Sequence, residues 1–206
     1  MIDGQDIKNL KFGFRDYISI CPQNHYFFND TILNNIRMAN FTKYYKEIIK
    51  NETIETQDKS EEYVPINSEP EPEIIELCKH FGLYDKIREF PGGFNYVIGD
   101  NGSKLSGGER QRINLIRTFL KKAEIYIFDE PTNFLDSINQ VRFMDKISEL
   151  KANNKTVFLI SHELALAESV DKVLCFDERG GYEFGVHNEL VKQGGRYSDL
   201  WAASML

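Results

Sequence analysis

Three things are scarce in this 206-residue chain. Cysteine is one: Cys21, Cys78 and Cys175 are odd in number, widely spaced and without a C-x-x-C pair. That pattern argues against a disulfide framework or a zinc site and fits reduced thiols in a cytosolic setting. Apolar length is another. No run approaches the ~18 residues of a membrane span, and Met1-Ile2-Asp3-Gly4 lacks the basic-then-apolar build of a signal peptide. Positive charge is the third: 25 Lys and Arg against 32 Asp and Glu leave a net charge of −7. An acidic surface argues against nucleic acid or an anionic membrane surface as the main partner. If the chain works at a membrane, something else holds it there.

The rest is ordinary for a globular protein, with 41% hydrophobic and 28% charged residues. The length fits one domain with a small subdomain and a sizeable core. The stretch Glu52–Glu76 differs in kind, with nine acidic residues, one lysine and three of the six prolines. Such a composition buries too little apolar surface to offset its ordering entropy, so a mobile surface insertion is expected at about residues 51–73.

Elsewhere the patterning is regular. Tyr17–Cys21, stopped by Pro22, reads as a buried strand. Asp30-Thr31 can cap a helix from Ile32 to about Met38. A helix is expected from Ile74 through Phe81, and Tyr96-Val97-Ile98 is strand-like. Ser106-Gly107-Gly108-Glu109 fits a capping box opening a helix that closes at Lys121-Lys122. Ile125–Phe128 and Val157–Ile160 read as strands buried on both faces, and Asp136 or Ser137 opens the helix between them, to about Leu150. Lys172–Phe176 would be the next strand of the same parallel α/β sheet. Active groups in such sheets gather beyond the carboxyl ends of the strands, which puts Pro22-Gln23, Asp129-Glu130 and Ser161-His162 at one edge.

Adjacent carboxylates at a strand end point different ways and can divide two tasks. One can ligate Mg²⁺ and the other can orient and deprotonate water. Alone, Asp129-Glu130 before Pro131 reads more simply as a strand running into a turn, and His162 as a loop histidine. Ser106-Gly107-Gly108 presents a hydroxyl and backbone N–H groups at a helix N-terminus, an anion site. Two glycines in a first turn cost roughly 1 kcal/mol each against alanine, a cost that the close approach of a phosphate would explain.

Taken together, these residues resemble the nucleotide-binding domain of ATP-binding cassette (ABC) proteins. Leu105-Ser106-Gly107-Gly108-Glu109-Arg110-Gln111 is similar to the signature motif, and Ile125–Glu130 to the Walker B strand. Gln23 resembles the Q-loop glutamine, Asn133-Phe134-Leu135-Asp136 the D-loop, and His162 the switch histidine. The resemblance covers the chain apart from the acidic insertion. Phe27–Ile32, Gly99–Gly102 and Gly194–Tyr197 look like exporter-type members, whereas the Asn133 spelling is also similar to soluble ABC proteins acting on ribosomes.

The resemblance implies an α/β, P-loop NTPase-like parallel-sheet core (residues 1–23 and 124–206) with an α-helical signature subdomain (24–123). It implies ATP and Mg²⁺ as cofactors and a head-to-tail dimer with a second nucleotide-binding domain. Ser106, Gly107, Gly108 and the signature Glu109 would serve a nucleotide held mainly by the partner. Glu130 would be the general base, His162 would hold the γ-phosphate, Asp129 and Gln23 would engage Mg²⁺ and water, and Asp136 would cross the dimer interface. An exporter's transmembrane domain would be the other partner, placing the chain at the cytoplasmic face of a membrane.

One motif is absent. No G-x-x-x-x-G-K-[ST] occurs in these 206 residues, and with it go a phosphate nest, its lysine and a hydroxyl ligand for Mg²⁺. The family pattern therefore implies a cassette that begins partway through its catalytic core, with incompletely covered strands. A non-catalytic, signature-bearing partner and a soluble regulatory ATPase are the alternatives.

Overall fold

A computed structural model describes residues 14–40, 69–177 and 180–205. Most of the expected acidic insertion lies outside the described residues. Its end is ordered differently from expectation: Pro72 occupies the first turn of a helix, where its missing N–H costs nothing. Glu71, at the N-cap, forms an ion pair of 3.0 Å with Arg37. The chain divides into two compact units, Met1–Ile160 and Ser161–Leu206.

In the first unit, β1 (Ile18–Cys21), β2 (Ile125–Asp129) and β3 (Thr156–Ile160) form a parallel sheet in the order β1-β2-β3. Ile20 aligns with Ile127 and Phe158, and Cys21 with Phe128 and Leu159. Side chains alternate across a strand, so this register sorts the sheet into two faces. Ser19, Cys21, Tyr126 and Phe128 are buried on one of them.

That face is covered by α4 (Gly107–Leu120) and α5 (Ser137–Ala152). Phe119 of α4 and Phe143 of α5 pack on Phe128 with ring centroids 5.3 and 5.2 Å away. On the other side of α4 lie α1 (Ile32–Arg37), α2 (Pro72–His80) and, beyond it, α3 (Tyr84–Glu89). Phe81 stacks on Phe119 at 5.7 Å, which joins the helical layer to the sheet. Each buried aromatic contributes roughly 1.5–3 kcal/mol through the area it removes from water, so this cluster fixes how the layers meet.

The opposite face departs from the apolar patterning of the strands and agrees with the incomplete cover that the family pattern implies. Ile20, Phe158 and Ile160 are 56%, 56% and 52% exposed, so these strands are half-buried, not buried on both faces. A continuous apolar run is compatible with either state, because periodicity reports no second layer. Tyr96–Ile98 is also no strand. It makes a single bridge between Val97 and Thr31, and the left-handed Gly99 turns the chain away after Ile98.

The second unit corrects the sheet assignment. β4 (Val173–Phe176) pairs antiparallel with β5 (Tyr182–Gly185), not in parallel with β3. The shortness of the connection explains this: Gly181 donates to Asp177 Oδ1 at 2.8 Å, and Asp177 donates to the Gly181 carbonyl at 3.0 Å. Antiparallel neighbours need only a few linking residues, whereas parallel ones need a crossover. The helices α6 (His187–Gln193) and α7 (Arg196–Ser204) follow. Tyr197 is buried, with its hydroxyl 2.7 Å from His187 Nδ1. The Glu183 carboxylate accepts the first two N–H groups of α7, at 2.7 and 3.1 Å.

Candidate functional site

The corner at the head of α4 is built by its capping box. Ser106 Oγ accepts from the Glu109 N–H at 3.3 Å, and Glu109 returns by accepting the Ser106 N–H at 2.8 Å. Two orphan donors of the first turn are thereby satisfied, and Glu109 is buried beneath the corner. Ser106 itself is exposed, and Gly107 opens onto a groove of about 380 Å³. Gln23, Asn24, His25, Asn101, Arg110 and Phe134 line the same groove.

The helix that carries the corner also places the Gln23 loop. Asn114, Arg117, Thr118 and Lys121 recur on one side of α4. Asn114 donates to Cys21 Sγ at 3.0 Å and to the Pro22 carbonyl at 3.3 Å. Thr118 accepts Ser19 Oγ–H through its carbonyl at 2.9 Å, and Lys121 Nζ donates to the Ile18 carbonyl at 2.6 Å. Arg117 reaches furthest: it donates to the Asn35 carbonyl, the Tyr26 carbonyl and Asn35 Oδ1 at 2.6, 2.7 and 2.7 Å. Its guanidinium also lies 4.4 Å from the centroid of the Phe27 ring. Burial pushes this guanidinium down to about 10, which leaves it charged at neutral pH. His25 is held below the ordinary imidazole range by burial first and then by Arg110 and Arg117.

Two of the segments quoted as exporter-like, Phe27–Ile32 and Gly99–Gly102, meet beside this loop. Phe27 N–H donates to Asn101 Oδ1 at 3.2 Å, and Ile32 N–H donates to the Tyr96 carbonyl at 3.0 Å. Asn101 is left-handed, with φ 49°.

Asp129 ends β2 and Glu130 follows it, both half-buried. Glu130 adopts φ 49° and donates its N–H to the Ile160 carbonyl at 2.9 Å. A left-handed backbone costs a non-glycine residue roughly 1–2 kcal/mol, and such strain gathers at functional sites. Phe134 is left-handed too, at φ 64°. Asp136 Oδ1 caps α5, accepting from the Asn139 N–H at 2.8 Å and from its side-chain amide at 3.0 Å. His162 stands exposed in the second unit, two residues beyond the end of β3.

The two glycines have a neighbour that sequence patterning does not reveal. A Cβ on Gly107 would lie 3.2 Å from Phe134 Cδ1, and one on Gly108 would lie 3.0 Å from the Phe134 carbonyl oxygen. The segment after Glu130 therefore leaves little room for a side chain at either glycine. This packing gives a second account of the glycine pair beside the close approach of a phosphate. In the sequence Phe134, Arg110 and Asn101 stand inside quoted motifs with no role of their own, and Arg117 and His25 stand outside them. The helical spacing of polar residues along α4 was the readable signal for Arg117.

Residues 1–133 match the family model described as ABC transporter. The chain is 34% identical over 206 residues to the ATP-dependent lipid A-core flippase of Francisella tularensis, covering all of this chain and 30% of that protein. The chain belongs to the ABC transporter family. It is also 33% identical over 201 residues to the mitochondrial ABC transporter B family member 24 of Arabidopsis thaliana (97% of this chain, 26% of that protein). With the heavy metal tolerance protein of Schizosaccharomyces pombe it shares 35% over 202 residues (97% and 21%). The structure of a bacterial Atm1-family ABC exporter with ATP bound matches at a TM-score of 0.78 and 28% identity, over all of this chain and 32% of that one. The chain thus has the fold of an exporter cassette and spans less than a third of the length of these relatives.

The site suits a phosphate group: an exposed serine caps a 14-residue helix, and Gly107 in the first turn of that helix lines a polar groove. For a metal the fit is partial. Among the described residues, no three His, Cys, Asp or Glu side chains gather to hold one. Asp129 and Gln23 can supply only part of a shell that phosphate oxygens would complete. No described helix is long and apolar enough to cross a membrane.

Proposed function

We propose that this chain is the signature-bearing part of an exporter's ATP-binding cassette, coupling ATP binding and hydrolysis to export through a transmembrane domain. The observation that carries the reading is the exposed corner at Ser106, whose neighbour Gly107 lines the same groove as Gln23. Ser106, Gly107 and Gly108 engage the terminal phosphate of a nucleotide held mainly by a second cassette, and Glu109 braces them from below. Glu130 accepts the proton of the attacking water, Asp129 and Gln23 hold Mg²⁺ and that water, and His162 steadies the γ-phosphate. Bound Mg²⁺ supplies neutralisation of the phosphate charge. Asp136 carries the D-loop across to the partner. Residues 1–23 and 124–206 serve as the ATPase core and 24–123 as the helical subdomain, at the cytoplasmic face of the membrane.

A second reading keeps the signature role alone: these 206 residues complete a partner's site through the corner at Ser106 without themselves holding a nucleotide. One mixing experiment serves both. The chain is combined with an exporter cassette that has an intact P-loop but an arginine in place of its signature serine. Mg²⁺- and ATP-dependent association, read by sedimentation, and ATP hydrolysis are expected, and both are expected to vanish with Gly108→Asp in this chain. No association of the wild-type pair at saturating ATP overturns the signature role. Tight ATP binding by this chain alone overturns the second reading.

A further inference from the structure

The geometry points to Phe134 as a positioning residue for the phosphate-binding corner, an inference that rests on the signature role given above. The loop that carries Phe134 is pinned at both ends. Gln111, in the first half of α4, donates from its side-chain amide to the Pro131 carbonyl, and Asp136 caps α5. Between these anchors the chain turns tightly, with Leu135 N–H donating to the Thr132 carbonyl at 3.0 Å. Phe134 is driven into the left-handed region at φ 64°.

An aromatic residue in that conformation is normally compensated by burial, yet Phe134 is 75% exposed. Its contacts run to the corner: ring atoms face Gly107, and its carbonyl oxygen faces Gly108. The loop thus acts as a wall against the first turn of α4, fixing where the N–H groups of Gly107 and Gly108 point. Glu130 begins the same loop, also left-handed. The segment that presents the hydrolytic carboxylate and the helix that presents the signature therefore lean on one another within a single chain. Phe134 also lines the groove, together with Arg110.

The test uses Phe134→Asn, which removes the ring and keeps a residue type that tolerates φ > 0. Because the ring is mostly exposed, the variant is expected to fold. In the first arm, melting is measured without nucleotide for wild type, Gly107→Ala, Phe134→Asn and the double variant. Gly107→Ala is expected to lower the midpoint in the wild-type background and to lower it far less once Phe134→Asn has removed the ring. Additive effects overturn the packing claim. In the second arm, ATP is titrated into the mixture with the signature-deficient partner. Phe134→Asn is expected to raise the ATP concentration for half-maximal association about tenfold, with the rate at saturating ATP held. An unchanged half-maximal concentration makes the contact merely structural and overturns the positioning role. Wild type failing to associate sinks the signature reading itself, an outcome that wild type alone distinguishes from failure of the Phe134 claim.

Discussion

Single side chains here do work their residue type does not announce. Cys21 and Cys78 are wholly buried, and burial pushes both thiols from 9.0 up to about 12, with Asp129 adding to the effect at Cys21. An unfolded chain returns them to their ordinary value. Between pH 9 and 12 it therefore releases protons that the folded chain keeps, and stability falls as pH rises, by about 1.4 kcal/mol per pH unit for each thiol. Below pH 9 the two states bind the same protons and these groups contribute no slope. Thermal midpoints measured from pH 8 to 11 should show that decline, made shallower by Cys78→Ala. Cys175, half-buried, should be the thiol that alkylates first in the folded chain. Sequence made the three cysteines legible as unpaired thiols, but not which were buried, because burial depends on partners distant in the chain.

At the level of elements, α4 organises the first unit, and its start was readable from S-x-x-E while its reach was not. The capping box, the strand Ile125–Asp129 and the helix opened by Asp136 follow from local residue chemistry and form as expected. The β4–β5 hairpin and the Phe134 contact depend on which segments meet, which no local pattern encodes. Arg117 shows the difference best. Its spacing from Asn114 and Lys121 marks a polar stripe, but only the fold shows that it joins Asn35, Tyr26 and Phe27. Arg117→Leu leaves the part-buried Asn35 carbonyl without its donor, a buried orphan costing roughly 1–3 kcal/mol. Urea unfolding should show a loss of at least that size. Amide exchange should accelerate across residues 23–28, loosening Gln23 without touching it.

Over the whole molecule, both sheets carry an uncovered apolar side. In the first unit Ile20 and Phe158 lie in register with Ile127, and Ile160 lies beside Asp129. In the second, Leu174 pairs with Phe184 and Phe176 with Tyr182, all exposed. Parallel sheets are found almost only with both faces covered, and contiguous exposed apolar surface favours association. The isolated chain should self-associate in a concentration-dependent way in sedimentation velocity. Ile20→Thr with Phe158→Thr should shift it toward monomer without lowering its melting temperature, since neither side chain is in the core. A sharp wild-type monomer at high concentration contradicts this. The exposed isoleucines also bear on the cell's housekeeping. Exposed apolar surface of this kind draws chaperones and proteases, so the abundance of the chain in a cell should rise whenever that face is covered.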